Sequence, residues 1–146
     1  NAVYNDAQLF VTQLQQRDCF PIFKLDGQSR ITCTAWAHPK QELNALKYHS
    51  VIIQDNTLIT NMYKYHLALI VVVDSKNHTQ LAMQALVSHE RTDDFQFIFD
   101  TFKELCGGAH PKVIFTDADK VASAAIEQVY PHTLHKLCIW HTMENI

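Results

Sequence analysis

Aspartates end several apolar runs in this chain, and two of them, Asp117 and Asp55, do so without opening an ordinary turn sequence. In the segment KVIFTDADKVASAAIEQVYPHTLHKLCIWH, residues 112 to 141, the β-branched and aromatic run Val113, Ile114, Phe115, Thr116 breaks off at Asp117. Asp55 stands in the same way after Ser50 to Gln54. An apolar strand that delivers an acid at its C-terminal end, followed by a helix, is how open α/β sheets present ligand-binding carboxylates. Neighbouring strands lie about 4.8 Å apart, so two such acids can share bound cations. Mg²⁺ or Mn²⁺ suits them, being hard ions that take oxygen ligands and keep several waters. Two such ions roughly 4 Å apart clamp the attacking and leaving oxygens of a phosphodiester displacement. Without cations, repulsion between the carboxylates raises one of their pKa values. Taken singly, each acid reads better as the start of a loop.

The other chemistry-bearing residues read more plainly. Asp119 suits a helix N-cap, Asp74 a turn, and Asp93 with Asp94 a helix start. Glu144 is the only acid after His141 and so the one later acid that could join the aspartates as a ligand. Cys138 and His141 form a Cys-x-x-His element, but two ligands do not close a zinc tetrahedron. Residues three apart on a strand also face opposite ways, so a buried thiol and a hydrogen-bonded histidine are expected there, without zinc. The other histidines are scattered and read as surface or satisfied polar groups, and Trp36 and Trp140 as core aromatics. No glycine-rich phosphate loop, Ser-His-Asp order or cysteine-nucleophile signature is visible.

The acids reach one site only if an α/β sheet carries them there. Residues 5 to 17 hold a one-sided stripe of Ala7, Phe10, Val11 and Leu14 and predict a helix. Phe20 to Leu25 and Arg30 to Trp36 flank Asp26-Gly27 as a hairpin. Pro39 suits a first helical turn, continued by Leu43, Leu46 and Lys47. From Ser50 the pattern gives a strand to Gln54 and then a continuous apolar strand, His66 to Val73, of the kind buried on both faces. A polar turn leads to Thr79–Val87, with Leu81, Met83, Ala85 and Val87 on one face. Thr92 and Asp93 suit helix caps, Phe95, Ile98, Phe99 and Phe102 a core-facing stripe, and Gly107-Gly108 its end. A strand to Asp117, a helix carrying Val121, Ala125 and Val129 and stopped by Pro131, and a strand to Cys138 follow. The order β, β, β, α, β, α, β predicts an antiparallel meander joined to parallel strands in one mixed sheet.

At 146 residues, 47% of them hydrophobic and 18% charged, the chain is one domain or part of one, with a buried core. The net charge of −3 and the absence of a Lys/Arg block withhold the basic footprint of a free-standing nucleic-acid binder. A DNA partner would therefore need phosphate contacts from further chain or from bound cations. Cys19, Cys33, Cys106 and Cys138 lie far apart without a C-x-x-C pair, which points away from a disulfide framework and to a reducing compartment. The longest apolar run is too short to cross a bilayer, and no membrane partner is expected. No signal peptide is visible, and the chain stops at Ile146 inside a helical pattern, so it reads as a fragment with exposed apolar surface.

The motifs HSVIIQDNTLITNMYKYHLALIVVV, ALVSHERTDDFQFIFDTFKELCGG, PKVIFTDADKVASAAIEQVYP and HKLCIWH, in that order, resemble the MULE (Mutator-like element) transposase domain of the DDE superfamily. They also resemble the related far-red-response (FAR1-like) proteins of plants. LDGQSRITCTAWA is similar to the segment preceding that domain in the same family. The resemblance implies a ribonuclease H-like α/β fold. Residues 1–48 would form a helix, hairpin and helix preface, and 49–146 the N-terminal portion of the catalytic domain. It matches Asp55 to the first acid of the catalytic, metal-binding triad and Asp117 to the second, with Cys138 and His141 as a structural or DNA-facing element. The third acid, a glutamate, would lie beyond Ile146. The family commonly has an aromatic before the first acid and Thr-Thr-Tyr after it, where this chain has Gln54 and then Asn56, Thr57 and Leu58. The implied function is Mg²⁺- or Mn²⁺-dependent cleavage and strand transfer of double-stranded transposon DNA ends, in the nucleus, with a homo-oligomer a further option for the full-length protein. Without the glutamate, the 146-residue chain is expected to be inactive alone. The alternatives are a domesticated, non-catalytic FAR1-like DNA-binding regulator and an inactive transposon remnant.

Overall fold

Seven short apolar runs pair into a single mixed sheet. The computed structural model describes residues 2–58, 65–117 and 120–137, with backbone alone for residues 2–7 and 58. In chain order the elements are α1 (Ala2–Gln16), β1 (Ile22–Leu25), β2 (Ile31–Trp36), α2 (Pro39–Tyr48), β3 (Val51–Leu58), β4 (His66–Val73), β5 (Thr79–Val87), α3 (Thr92–Leu105), β6 (Val113–Thr116), α4 (Lys120–Val129) and β7 (Leu134–Leu137). The sheet order is β1-β2-β5-β4-β3-β6-β7. β3, β4 and β5 form the antiparallel meander, and β6 and β7 add in parallel beyond β3, as the element order predicts. The β1–β2 hairpin extends the same sheet, because β2 pairs with β5.

Alternation along the strands decides which face is covered. Ile52 on β3, Ala68, Ile70 and Val72 on β4, and Ile114 on β6 are buried, in one core with Phe95, Ile98, Phe99 and Phe102 of α3 and Ala122, Ala125 and Ile126 of α4. The aromatic stripe of α3 thus behaves as its helical spacing predicts. Tyr130, just past α4, donates from its hydroxyl to the Phe99 carbonyl at 3.1 Å. Gly107 and Gly108 end α3 at φ 66° and 88°, where their N–H groups reach the carbonyls of Glu104 and Lys103. At its start, the Asp94 carboxylate accepts from the Arg91 N–H at 3.1 Å, so Thr92 is the first helical residue rather than the cap.

Two local expectations change. Leu81 is 38% exposed, while Ala82 and Met83 are both buried. The β4–β5 register runs Ile70↔Met83 and then Val71↔Leu81, and this bulge turns Leu81 away from the core face. β3 also does not stop at Asp55. It continues to Leu58 because β4 pairs with it as far as Leu58↔His66.

Candidate functional site

Parallel pairing of β3 with β6 carries Asp55 and Asp117 toward the same end of adjacent strands. β3 and β6 are in register as Val51↔Val113, Ile52↔Ile114 and Ile53↔Phe115. Two residues beyond the last pair, on each chain segment, stand Asp55 and Asp117. Ile52 and Gln54 on β3, and Ile114 and Thr116 on β6, are buried on the face packed against α3 and α4. By alternation both aspartates belong to the opposite face, where Asp55 is half-buried and Asp117 exposed. The sequence thus supplies two carboxylates at the carboxyl edge of neighbouring parallel strands, where α/β sheets bind ligands. That edge is set by β6, which ends at Thr116.

The covered face behind these acids is polar at the same level. Gln54, only 3% exposed, donates from Nε2 to Asn56 Oδ1. Asn56 Nδ2 donates to Glu90 Oε2 at 2.9 Å, and the other Glu90 oxygen lies 3.1 Å from His66 Nδ1. Behind Asp117, the fully buried Thr116 donates from Oγ1 to the Asp117 carbonyl at 2.7 Å. His135 Nε2 lies 2.5 Å from Thr116 Oγ1, and its Nδ1 lies 3.1 Å from Ser123 Oγ on α4. Burial pushes the His135 pKa down, which favours the neutral ring. The sequence marks Gln54 as a departure and His66 and His135 as satisfied polar groups. No local pattern ties either histidine to an aspartate, because the partners come from different strands.

Among the described residues no group of three or more His, Cys, Asp or Glu side chains could hold a metal ion. Two carboxylates are a donor set that suits a hard ion such as Mg²⁺, which is usually held by one or two carboxylates plus water and substrate phosphates. They do not form a closed cage. Cys138, Trp140, His141, Glu144 and Asp119 lie outside the described residues. Asp74 is the turn residue its sequence suggests, its Oδ1 accepting from the N–H groups of Lys76 and His78 at 2.9 Å each. No helix among the described residues is long and apolar enough to cross a membrane.

Comparison with known proteins agrees with the motifs. The model of the MULE transposase domain matches residues 51–145. Protein FAR-RED IMPAIRED RESPONSE 1 of Arabidopsis thaliana is 32% identical over 127 residues, covering 87% of this chain and 15% of that protein. Protein FAR1-RELATED SEQUENCE 2 of the same plant is 25% identical over 134 residues, 92% of this chain and 17% of its own length. A stretch of the PKS-NRPS hybrid synthetase cheA of the fungus Chaetomium globosum is 31% identical over 102 residues, 68% of this chain and 2% of that protein. The chain therefore spans a small part of the curated relatives it matches. A family match that takes in both aspartates and the five strands β3 to β7 is decisive: the chain belongs to the MULE transposase domain family.

Proposed function

We propose that this chain is the N-terminal portion of a DDE-type transposase catalytic domain with a ribonuclease H-like fold. In this reading Asp55 and Asp117 are catalytic and bind Mg²⁺ or Mn²⁺ for cleavage and joining of double-stranded DNA ends. The observation that supports it is the β3–β6 register, whose continuation by two residues would put two acids from distant sequence on the same face of adjacent strands. The ions would supply charge stabilisation at the attacking and leaving oxygens. The two carboxylates would hold them. With a net charge of −3, phosphate contact at this face depends on those cations or on basic residues elsewhere in the full-length protein. The assignment extends to a nuclear protein, to a structural or DNA-facing Cys138 and His141, and to a third acid beyond Ile146.

The far-red-response names of the plant relatives favour a second reading. Here the fold is kept as a DNA-binding regulatory module without cleavage. Calorimetric titration with Mn²⁺ separates the two, using the protein beside Asp55→Ala and Asp117→Ala. Loss of binding in both variants supports the metal site. Binding that is absent, or indifferent to both changes, turns the assignment to the regulator.

A further inference from the structure

Two hydrogen-bonded chains run behind the acid pair, one on each strand, and neither is needed to explain the fold. We propose that they aim the carboxylates. Glu90, acting through Asn56, is the positioning residue for Asp55, and His135, acting through Thr116, is the positioning residue for Asp117. The inference rests on the reading of Asp55 and Asp117 as a metal-binding pair and adds the groups that set their direction.

On β3, Gln54 and Asn56 flank Asp55 and belong to the face opposite to it. Their side chains are linked to each other, and Asn56 is tied to Glu90 in the loop after β5. His66, at the start of β4, holds the second Glu90 oxygen at 3.1 Å. The backbone on both sides of Asp55 is thereby anchored to a loop and to the neighbouring strand, beyond what the ladder alone provides. A carboxylate at the hub suits this role, because hydrogen bonds to charged groups are about twice as strong as neutral ones.

On β6 the chain is directional. Thr116 has one hydroxyl proton, and it goes to the Asp117 carbonyl. Thr116 Oγ1 must therefore accept from His135, which places the ring proton on Nε2. The neutral ring then accepts at Nδ1 from the Ser123 hydroxyl. Ser123 on α4, His135 on β7 and Thr116 on β6 thus hold the carbonyl of Asp117 from the covered side, just where β6 stops. Among the described residues, no buried side-chain nitrogen or oxygen lacks a hydrogen-bond partner, which covers the buried Gln54 and Thr116. On β6, where Thr116 is fully buried, the network holds one geometry because a broken link strands a polar group.

Groups hydrogen-bonded to a metal ligand change its affinity by about 10- to 100-fold, and here the links reach the side chain next to Asp55 and the main-chain carbonyl of Asp117. The test measures Mn²⁺ affinity by calorimetry, together with thermal unfolding of the metal-free protein, for Glu90→Ala and Thr116→Val. Glu90→Gln and Thr116→Ser are the conservative counterparts. Glu90 is half-exposed and Thr116→Val keeps the side-chain shape, and thermal unfolding identifies the variants that keep the fold. The proposal expects a loss of Mn²⁺ affinity of about tenfold or more in each disruptive variant, with recovery toward wild type in its counterpart. Folded Glu90→Ala and Thr116→Val proteins that bind Mn²⁺ as wild type does, while Asp55→Ala and Asp117→Ala abolish binding, overturn the positioning roles and leave the acid pair standing. Wild-type protein that binds no Mn²⁺, or binds it regardless of the two aspartates, overturns both.

Discussion

Lys24 of the β1–β2 hairpin places its ammonium 3.2 Å from Asp94 Oδ1 in the first turn of α3. The same nitrogen lies 2.6 Å from Asp93 Oδ2, and Cys33 Sγ approaches Asp94 Oδ1 at 3.3 Å. The Asp94 side chain is only 5% exposed, so removing its cation leaves a buried carboxylate held by the Arg91 N–H and a thiol. Lys24→Met is expected to destabilise the protein by about 1–3 kcal/mol, below the full cost of breaking a buried pair because Lys24 itself is partly solvated. Urea unfolding measures it, and an unchanged midpoint would show the pair to be inert.

The same cluster sets a pH response. The Lys24 hydrogen bond holds the Asp93 carboxyl below its usual range. Its contribution is present above the unfolded value of about 3.9 and disappears as pH falls through the lower folded value. Burial pulls the Lys24 ammonium down, but its hydrogen bonds to Asp93 and Asp94 outweigh this and leave its pKa raised. That contribution is present below the unfolded value of about 10.4 and is lost as pH rises through the folded one. Melting temperature should fall at both extremes, and Lys24→Met should flatten both limbs. Parallel profiles for the two proteins would refute the linkage.

Burial pushes the Cys33 and Cys106 thiols up to about 12. Thiolate is the reactive form, so at pH 8 both should resist a disulfide reagent in the folded protein and react promptly once urea unfolds it. Mass spectrometry after a short exposure assigns the sites. Rapid folded-state labelling of either would contradict the packing around it.

Tyr130 closes the contact between the end of α4 and the middle of α3 through its hydroxyl and an edge-on contact with Phe99 at 6.1 Å between centroids. Burial raises the pKa of the hydroxyl. Tyr130→Phe keeps the ring and removes one hydrogen bond, which should cost about 1 kcal/mol, whereas Tyr130→Ala should cost about 3–5 kcal/mol through the cavity. Denaturant midpoints for the two variants give the comparison, and equal losses would show that the ring contributes little.

Much of this architecture can be read from period and punctuation. The α3 stripe from Phe95 to Phe102, the hairpin at Asp26-Gly27 and the meander from Val51 to Val87 follow from local residues. Leu81 misleads because a bulge is a property of two strands, and the β5 sequence alternates smoothly through it. Asp55 looks like a strand end because its own run turns polar there, yet the partner strand carries the pairing three residues further. The acids stand out individually, whereas their register needs the parallel pair. The chains through Glu90 and His135 join residues as far apart as Asn56 and Glu90, and nothing in either local segment announces the other.

The shared register of β3 with two unlike neighbours has a further consequence. β4 fixes it by antiparallel pairing and β6 by parallel pairing, and both must agree on the same frame. Sliding β3 by one residue would push Asp55 into the apolar layer and lift Ile52 out of it, on two interfaces at once. Insertions or deletions within Val51–Asp55 are therefore far less tolerable than equal changes in the loops. Evolution can erase either acid by a single substitution, but it cannot easily move the place where an acid would stand.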